Sequence, residues 1–342
     1  MDENMDENMN EIKLKQKNKG CQNLVKAISF MVVFAILLSV TSRIVTPKSN
    51  RDLKQYYAAG FYGEPEDSID YMLLGDSNSA EGFSPLEVWK KYGYSGYVCG
   101  EPFQTTSGIY HLLKEVLTCQ SPKLVIIETN VFYALSEKFN LLSKNDEMTD
   151  VEKAINNEMS SSFPVVRYHN RWKTLTSNDF ISVTDYNWKH VNKGYSFNKI
   201  QKPFAATDYM EASNNIEEIN RTTEFYLYKI MSLCKKNNID ILFLSIPCPT
   251  SWNSIRHNAV ENFANNCNVQ FVDLNESISD VAIDWSTDLR DDIHLNYSGA
   301  KKVSQYFADY LNQNYQFTDH RSDESYIGWN EDLQTYEATV AG

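Results

Sequence analysis

The 342-residue sequence is short of the residues that break regular structure, with 13 glycines and nine prolines. With 42% apolar and 23% charged residues, that scarcity excludes a collagen-like or disordered chain and leaves material for a sizeable buried core. A Gly-rich phosphate loop is missing, which argues against an ATPase. No two cysteines stand in CxxC spacing, so neither a zinc site nor a thioredoxin-like motif is supported, and no other metal motif occurs. Cys21 lies before the one long apolar segment and Cys99, Cys119, Cys234, Cys248 and Cys267 lie after it. An odd number on one side leaves a thiol free, and no obligatory disulfide framework is expected. Basic charge is also lacking. The net charge is −13, yet residues 1–50 hold five acids against seven bases, so the rest of the chain is more acidic still. Such a body repels nucleic acid, whose binding rests on basic contacts to phosphate.

What is present begins with the run "AISFMVVFAILLSVTS" at 27–42, continued past Arg43 by Ile44 and Val45. A spanning helix needs about 20 residues to cross roughly 30 Å of hydrocarbon, and a terminal Arg can snorkel to the interface. No polar stripe marks it as a core helix, and no convincing Ala-x-Ala cleavage site follows. The basic cluster "KLKQKNK" precedes it, which by the positive-inside rule keeps the N-terminus cytoplasmic and the body outside. The expected order is a cytoplasmic tail at 1–25, whose repeated "MDEN" is read as disordered, a transmembrane signal anchor at 26–45, and a membrane-proximal linker at 46–65.

The body carries three short apolar runs, "SIDYMLLGDS", "PKLVIIETN" and "IDILFLSIP", and a weaker one, "NVQFVDLN". Runs nearly continuous in Val, Ile, Leu and Phe are those of strands covered on both faces. Helical patterns alternate with them: "SPLEVWKKYG", with Ser84 at the N-cap and Pro85 at the first turn, then "TSGIYHLLKEVLT", "EEINRTTEFYLYKIMSLCKKN" and the closing "SGAKKVSQYFADYLNQN". This predicts an α/β fold, a three-layer α/β/α sandwich with a parallel sheet, preceded by one transmembrane helix. Binding sites in such sheets form at the carboxyl ends of the strands, where Ser77, Asn130 and Pro247 fall. The catalytic domain is expected at 66–317, with a polar, aromatic insert or cap at 136–215 where the alternation fails. An irregular tail is expected at 318–342.

Ser77 ends the first run in "LLGDSNSA". A serine hydroxyl is a poor nucleophile until a base removes its proton. "DLRDDIHLNYSG" supplies one, with Asp291 three residues before His294. On a helical turn i and i+3 share a face, so Asp291 reaches the imidazole better than Asp292, fixing its tautomer and stabilising imidazolium. A bare Gly-Asp-Ser occurs by chance in roughly one chain of this length in ten. Its place after a strand, with Asp-x-x-His just before the final helix expected, makes coincidence far rarer.

Over residues 66–315 this pattern resembles the SGNH, or GDSL-like, hydrolase superfamily. The resemblance implies a catalytic triad of Ser77, Asp291 and His294. It also implies an oxyanion hole of the Ser77 N–H, the Gly100 N–H and the Asn130 side chain, although the family's usual Gly-x-Asn-Asp is absent around Asn130. It implies a serine esterase or O-acyltransferase acting, without a cofactor, on a cell-envelope carbohydrate or polymer, in company with a multi-spanning membrane acyltransferase. The alternative is a polymer-binding or assembly protein that keeps the scaffold without the chemistry. In the insert, Arg167, His169, Arg171 and Trp172 suit an anionic or sugar substrate through guanidinium forks and stacking, or else form a solvated or internally packed patch. Glu128 reads as a buried hydrogen-bonding residue and His111 as structural. His190, His257 and His320 have no partner at a telling spacing.

Overall fold

The computed structural model describes residues 3–53, 56–134, 164–205 and 209–342, with residues 3–18 by backbone alone. The helices are α1 (Glu3–Val45), α2 (Ser77–Gly82), α3 (Pro85–Tyr92), α4 (Thr106–Val116), α5 (Pro164–Arg167) and α6 (Ser177–Ile181). They continue with α7 (Arg221–Lys236), α8 (Ser254–Cys267), α9 (Ile278–Val281), α10 (Tyr297–Asn314) and α11 (Ile327–Ala341). The strands are β1 (Tyr71–Gly75), β2 (Gly96–Gly100), β3 (Leu124–Glu128), β4 (Asp240–Ser245) and β5 (Gln270–Asp273). Two compact units divide the chain: Met1–Pro47 with Met159–Val183, and Lys48–Glu158 with Thr184–Gly342. The expected insert at 136–215 is thus shared between them, and its residues 136–163 and 206–208 lie outside the described residues.

In the first unit α1 runs for 43 residues, about 65 Å at 1.5 Å per residue. The acidic repeat expected to be disordered continues this helix from Glu3. Its section Lys19–Val45, whose apolar window has a mean hydropathy of 2.3 and no buried residue, is long and apolar enough to cross a membrane. Helices α5 and α6, with the 3-10 turn His169–Lys173 between them, pack against α1.

The second unit is built on a five-stranded sheet in the order β2-β1-β3-β4-β5, parallel throughout. Every residue of β1 and β3 is buried. Met72, Leu74, Val125, Ile127 and Phe243 face one core, with α4, α7 and α8. Tyr71, Leu73, Val98, Ile126 and Leu244 face the other, with α3 and α10. Side chains alternate across a strand, so two apolar faces require the unbroken apolar runs seen in the sequence. Gly75 pairs with Gly100, and Leu74 with Ile127, the residues before Gly75 and Glu128. Strands β1, β2 and β3 therefore end at one edge.

Three segments depart from expectation. Strand β2, "GYVCG", was not foreseen as a strand, because glycines bracket only three β-formers. Residues 46–65 are not a free linker: from Lys48 they belong to the body, with Asn50, Ala58, Ala59 and Phe61 buried. There Tyr97 Oη donates to the Tyr57 carbonyl at 2.8 Å, and Asn50 Nδ2 donates to the Ala59 and Trp188 carbonyls at 2.9 and 2.6 Å. The C-terminal residues are not an irregular tail, since α11 buries Trp329 and Tyr336 against Leu86, Trp89 and Tyr195. Its apolar Trp329, Leu333, Tyr336 and Val340 recur at helical spacing. Ser84 does stand at the N-cap of α3, but its hydroxyl bonds Tyr336 Oη at 3.2 Å instead of the helix.

A buried ion cluster locks the last helix down. Lys193, wholly buried, donates to Glu64 at 2.8 and 2.9 Å and to Asp332 at 2.6 Å, and lies 4.2 Å from the Trp329 ring centroid. Burial raises the Glu64 carboxyl despite the nearby Lys193. All six cysteines are free thiols.

Next to this cluster His190 stacks on Tyr57 at 4.2 Å, and its Nδ1 accepts from the Gly194 N–H at 3.0 Å. Burial, then the Lys193 charge, pushes its pKa down to about 4. An imidazole depressed in the fold takes up its proton more readily when unfolded, so its contribution is present above pH 6.5 and is lost as pH falls towards 4. Urea unfolding at pH 7 and pH 4.5 should show His190→Gln, which keeps an acceptor for Gly194, reducing the acid loss by about 2 kcal/mol. An identical acid loss in both proteins would contradict this origin.

Candidate active site

Ser77 is the first residue of α2, directly beyond β1. The Asp of Gly-Asp-Ser is the N-cap: Asp76 Oδ1 accepts from the Asn78 N–H at 2.8 Å, supplying a partner that the first turn lacks. Gly75 and Gly100 are needed for close packing. A Cβ on Gly75 would lie 2.6 Å from Glu128 Cβ and 2.7 Å from Ser79 Oγ. One on Gly100 would lie 2.5 Å from both the Asp76 carbonyl oxygen and Ser79 Oγ. The crowding comes from the protein itself, at the turn that presents Ser77.

The second component comes from the loop before α10. Leu289 and Leu295 form an antiparallel bridge, and the Arg290 N–H donates to the His294 carbonyl at 2.9 Å. Inside that narrow loop Asp291 Oδ1 accepts from the N–H groups of Ile293 (2.9 Å) and His294 (2.8 Å). This is a side-chain-capped turn and not the helical turn expected. It nonetheless sets Asp291 Oδ1 3.0 Å from His294 Nδ1. Asp292 is exposed, and its carbonyl accepts from Thr250 Oγ1.

The far side of the imidazole meets α2: His294 Nε2 lies 2.9 Å from Ser77 Oγ, across 217 positions of sequence. Ser77, Asp291 and His294 thus form one hydrogen-bonded line. With Asp291 ionised, Nδ1 carries the proton and donates to it, which leaves Nε2 to accept from the Ser77 hydroxyl. Burial opposes the Asp291 charge. The His294 N–H, Arg290 and the Ile293 N–H outweigh it and hold the carboxyl well below the usual range.

Two residues that the sequence reading passed over complete the arrangement. Arg290 donates from Nε (3.0 Å) and Nη2 (2.7 Å) to Asp291 Oδ2, and its Nη1 lies 2.5 Å from Glu81 Oε2. Glu81 is one turn beyond Ser77 on α2 and is buried, and burial raises its carboxyl. Arg290 therefore ties α2, which carries Ser77, to the loop of His294. The signals were an i+4 spacing from Ser77 and a basic residue directly before Asp291.

Part of the expected insert props the same loop. Along 196–204, the Ser196 N–H donates to the Ala80 carbonyl (2.7 Å), and the Asn198 carbonyl accepts from the Tyr297 N–H (2.7 Å). Further along, the Lys202 N–H donates to the Leu289 carbonyl (2.9 Å), and the Phe204 N–H to that of Trp285 (3.0 Å).

Asn130 follows β3 in the 3-10 turn Thr129–Phe132, whose N-cap, Glu128, accepts the Asn130 N–H on Oε1 at 3.1 Å. Its side chain is buried, and neither Nδ2 nor Oδ1 finds a hydrogen-bond partner among the described residues. An unsatisfied buried amide is costly enough to call for an explanation. Arg167, His169, Arg171 and Trp172 fall in the other compact unit. There His169 Nδ1 lies 2.7 Å from the Val166 carbonyl oxygen, and Arg171 binds Val45 and Asp179.

Two more His–Asp pairs were invisible in the sequence. His257 Nδ1 lies 2.7 Å from Asp273 Oδ2, and His320 Nε2 lies 3.0 Å from Asp70 Oδ2. The Asp273 hydrogen bond raises the His257 pKa. Among the described residues neither pair has a serine hydroxyl on its other ring nitrogen, so it is the third member that distinguishes His294. No group of His, Cys, Asp and Glu able to hold a metal ion occurs among the described residues.

No protein-family model and no curated protein matches the chain. Solved structures do resemble it. An esterase from Pseudoalteromonas sp. is 13% identical, covering 71% of this chain and 97% of its own, at a TM-score of 0.36. An acetylxylan esterase from Geobacillus stearothermophilus is 12% identical over 75% and 97%, at 0.35. A GDSL-like lipase from Bacteroides thetaiotaomicron is 12% identical over 71% and 87%, at 0.34. At these scores the likenesses add no weight to the site, which stands on its own distances.

Removing the half-buried Arg290 strands the charge of the buried Glu81. Arg290→Met should therefore lower the unfolding free energy by about 2 kcal/mol, and combining it with Glu81→Gln should cost less than the sum of the two by about 1 kcal/mol. Denaturant unfolding of the four proteins measures that coupling. Strictly additive losses would contradict the ion pair.

Proposed function

We propose that the chain is a membrane-anchored serine esterase or O-acyltransferase. It would act outside the cytoplasm on acyl groups of a cell-envelope carbohydrate or polymer. The observation that carries the reading is the continuous line Asp291 Oδ1, His294 Nδ1, His294 Nε2, Ser77 Oγ, with separations of 3.0 and 2.9 Å. It supplies a nucleophile, a base in contact with it and a carboxylate that orients the base.

In the reaction, Ser77 Oγ attacks the ester carbonyl while His294 Nε2 takes the hydroxyl proton. The tetrahedral oxyanion is held by the Ser77 N–H, the Gly100 N–H and Asn130 Nδ2. The unsatisfied amide of Asn130 supports its role, because the ligand would supply the missing partner. His294 then protonates the leaving alkoxide, and an acyl-enzyme remains on Ser77. Water or a sugar hydroxyl, deprotonated by the same imidazole, attacks that ester and regenerates the serine. No step calls for a cofactor. The apolar section of α1 supports anchoring, and the basic flank of that section supports an external body. The carbohydrate and a multi-spanning acyltransferase partner come from the family resemblance in the sequence.

The test is hydrolysis of p-nitrophenyl acetate by the full chain in detergent. Ser77→Ala and His294→Ala should each lower kcat/KM by about 10⁴ or more, and Asn130→Ala by roughly 10² to 10³. Unchanged turnover in Ser77→Ala would end the proposal, whereas no turnover by the parent chain above the uncatalysed rate would leave the polymer-binding alternative. Adding an acetyl-accepting oligosaccharide and weighing the products separates transfer from hydrolysis.

A further inference from the structure

The unit built on α1 carries apolar surface that neither its own core nor the proposed chemistry uses. Between Trp172 and Val183, four large apolar side chains are open to solvent: Trp172 at 66%, Phe180 at 57%, Ile181 at 77% and Val183 at 75%. A water-soluble surface rarely keeps so many together without an occupant.

Their segment is fastened to one end of α1. Arg171 Nη1 donates to the carbonyl of Val45, the last residue of α1, at 2.6 Å, filling a place that a helix C-terminus leaves open. Its Nη2 donates to Asp179 Oδ1 at 2.8 Å. Asp179 Oδ2 in turn accepts from the Thr176 N–H (2.8 Å) and hydroxyl (3.1 Å), which closes the first turn of α6. Val45 is buried, whereas all but one of the large apolar residues of α1 from Leu24 to Val40 are exposed, Leu38 being half-buried. The apolar surface of α1 therefore reaches to the point where the clipped segment begins.

We propose that residues 164–183 form a foot that lies in the headgroup layer of the bilayer crossed by α1. The occupant of its apolar surface is lipid. Continuity with the spanning section is the first reason, because a segment pinned at that end of the helix is at the depth of the interface. Composition is the second. A tryptophan beside basic residues is the pattern of interfacial anchors, and here Lys173 Nζ lies 5.5 Å from the Trp172 ring centroid, with Arg167 likewise 5.5 Å from that of Tyr168. Such cations favour anionic headgroups. The Arg167, His169, Arg171 and Trp172 cluster thereby has a use other than gripping substrate. The proposal rests on the reading of α1 as a membrane span.

The test uses the full chain in phosphatidylcholine–phosphatidylglycerol vesicles, with tryptophan emission quenched by lipids brominated near the headgroup or deep in the chain. Shallow bromines should quench a component that is lost in Trp172→Phe. A Phe34→Trp variant, in the span, should gain a component quenched by deep bromines. Deep quenching of Phe34→Trp without any Trp172 component would overturn the foot and leave the span standing. A Trp172 component shielded from both bromines and aqueous acrylamide would mean a second copy covers it, and would also overturn the proposal. Absence of both lipid-quenched components would remove the span, and the foot with it.

Discussion

The carboxylate of Asp291 is the interaction on which the site depends, because it serves the loop and the imidazole at once. One oxygen accepts two backbone N–H groups of its own turn and faces Nδ1 of His294, and the other takes the Arg290 guanidinium. These donors outweigh the cost of burying the charge, so the group stays ionised across the range in which an imidazole can act as a base. A neutral or rotated Asp291 would release the loop and the histidine together. The same contacts that shape the turn therefore set the tautomer.

The sheet supplies the other half of the geometry. Parallel registers bring β1, β2 and β3 to a common edge, and the crowding of Gly75 and Gly100 lets the first turn of α2 sit there without a Cβ in the way. Arg290 and Glu81 then bridge that turn to the Asp291 loop, and residues 196–204 brace the loop from outside. The site is thus held by backbone hydrogen bonds and one ion-pair chain spread over distant parts of the sequence.

That distribution explains what could be read beforehand. The runs around Met72, Ile126 and Leu242 announced buried parallel strands, because two covered faces leave no position for a polar residue. Ser77, Asp291 and His294 were legible because each stands next to an element boundary in a short motif. Strand β2 was not, since its glycines, which the packing demands, erase the strand pattern. The last helix was missed although Trp329, Leu333, Tyr336 and Val340 repeat at helical spacing, because polar surroundings diluted the signal and its partners Trp89 and Tyr195 are remote in sequence. The pairing of Arg290 with Glu81, and of His257 and His320 with aspartates, depends on tertiary contacts that no local pattern records.

The central claim is that Ser77 is an activated nucleophile. The most direct measurement is mass-spectrometric mapping of the adduct left by a fluorophosphonate on the native full-length chain. The account predicts a single adduct, on the peptide bearing Ser77, that is absent from His294→Ala. Modification elsewhere with Ser77 intact, or equal labelling of Ser77 without His294, would contradict it.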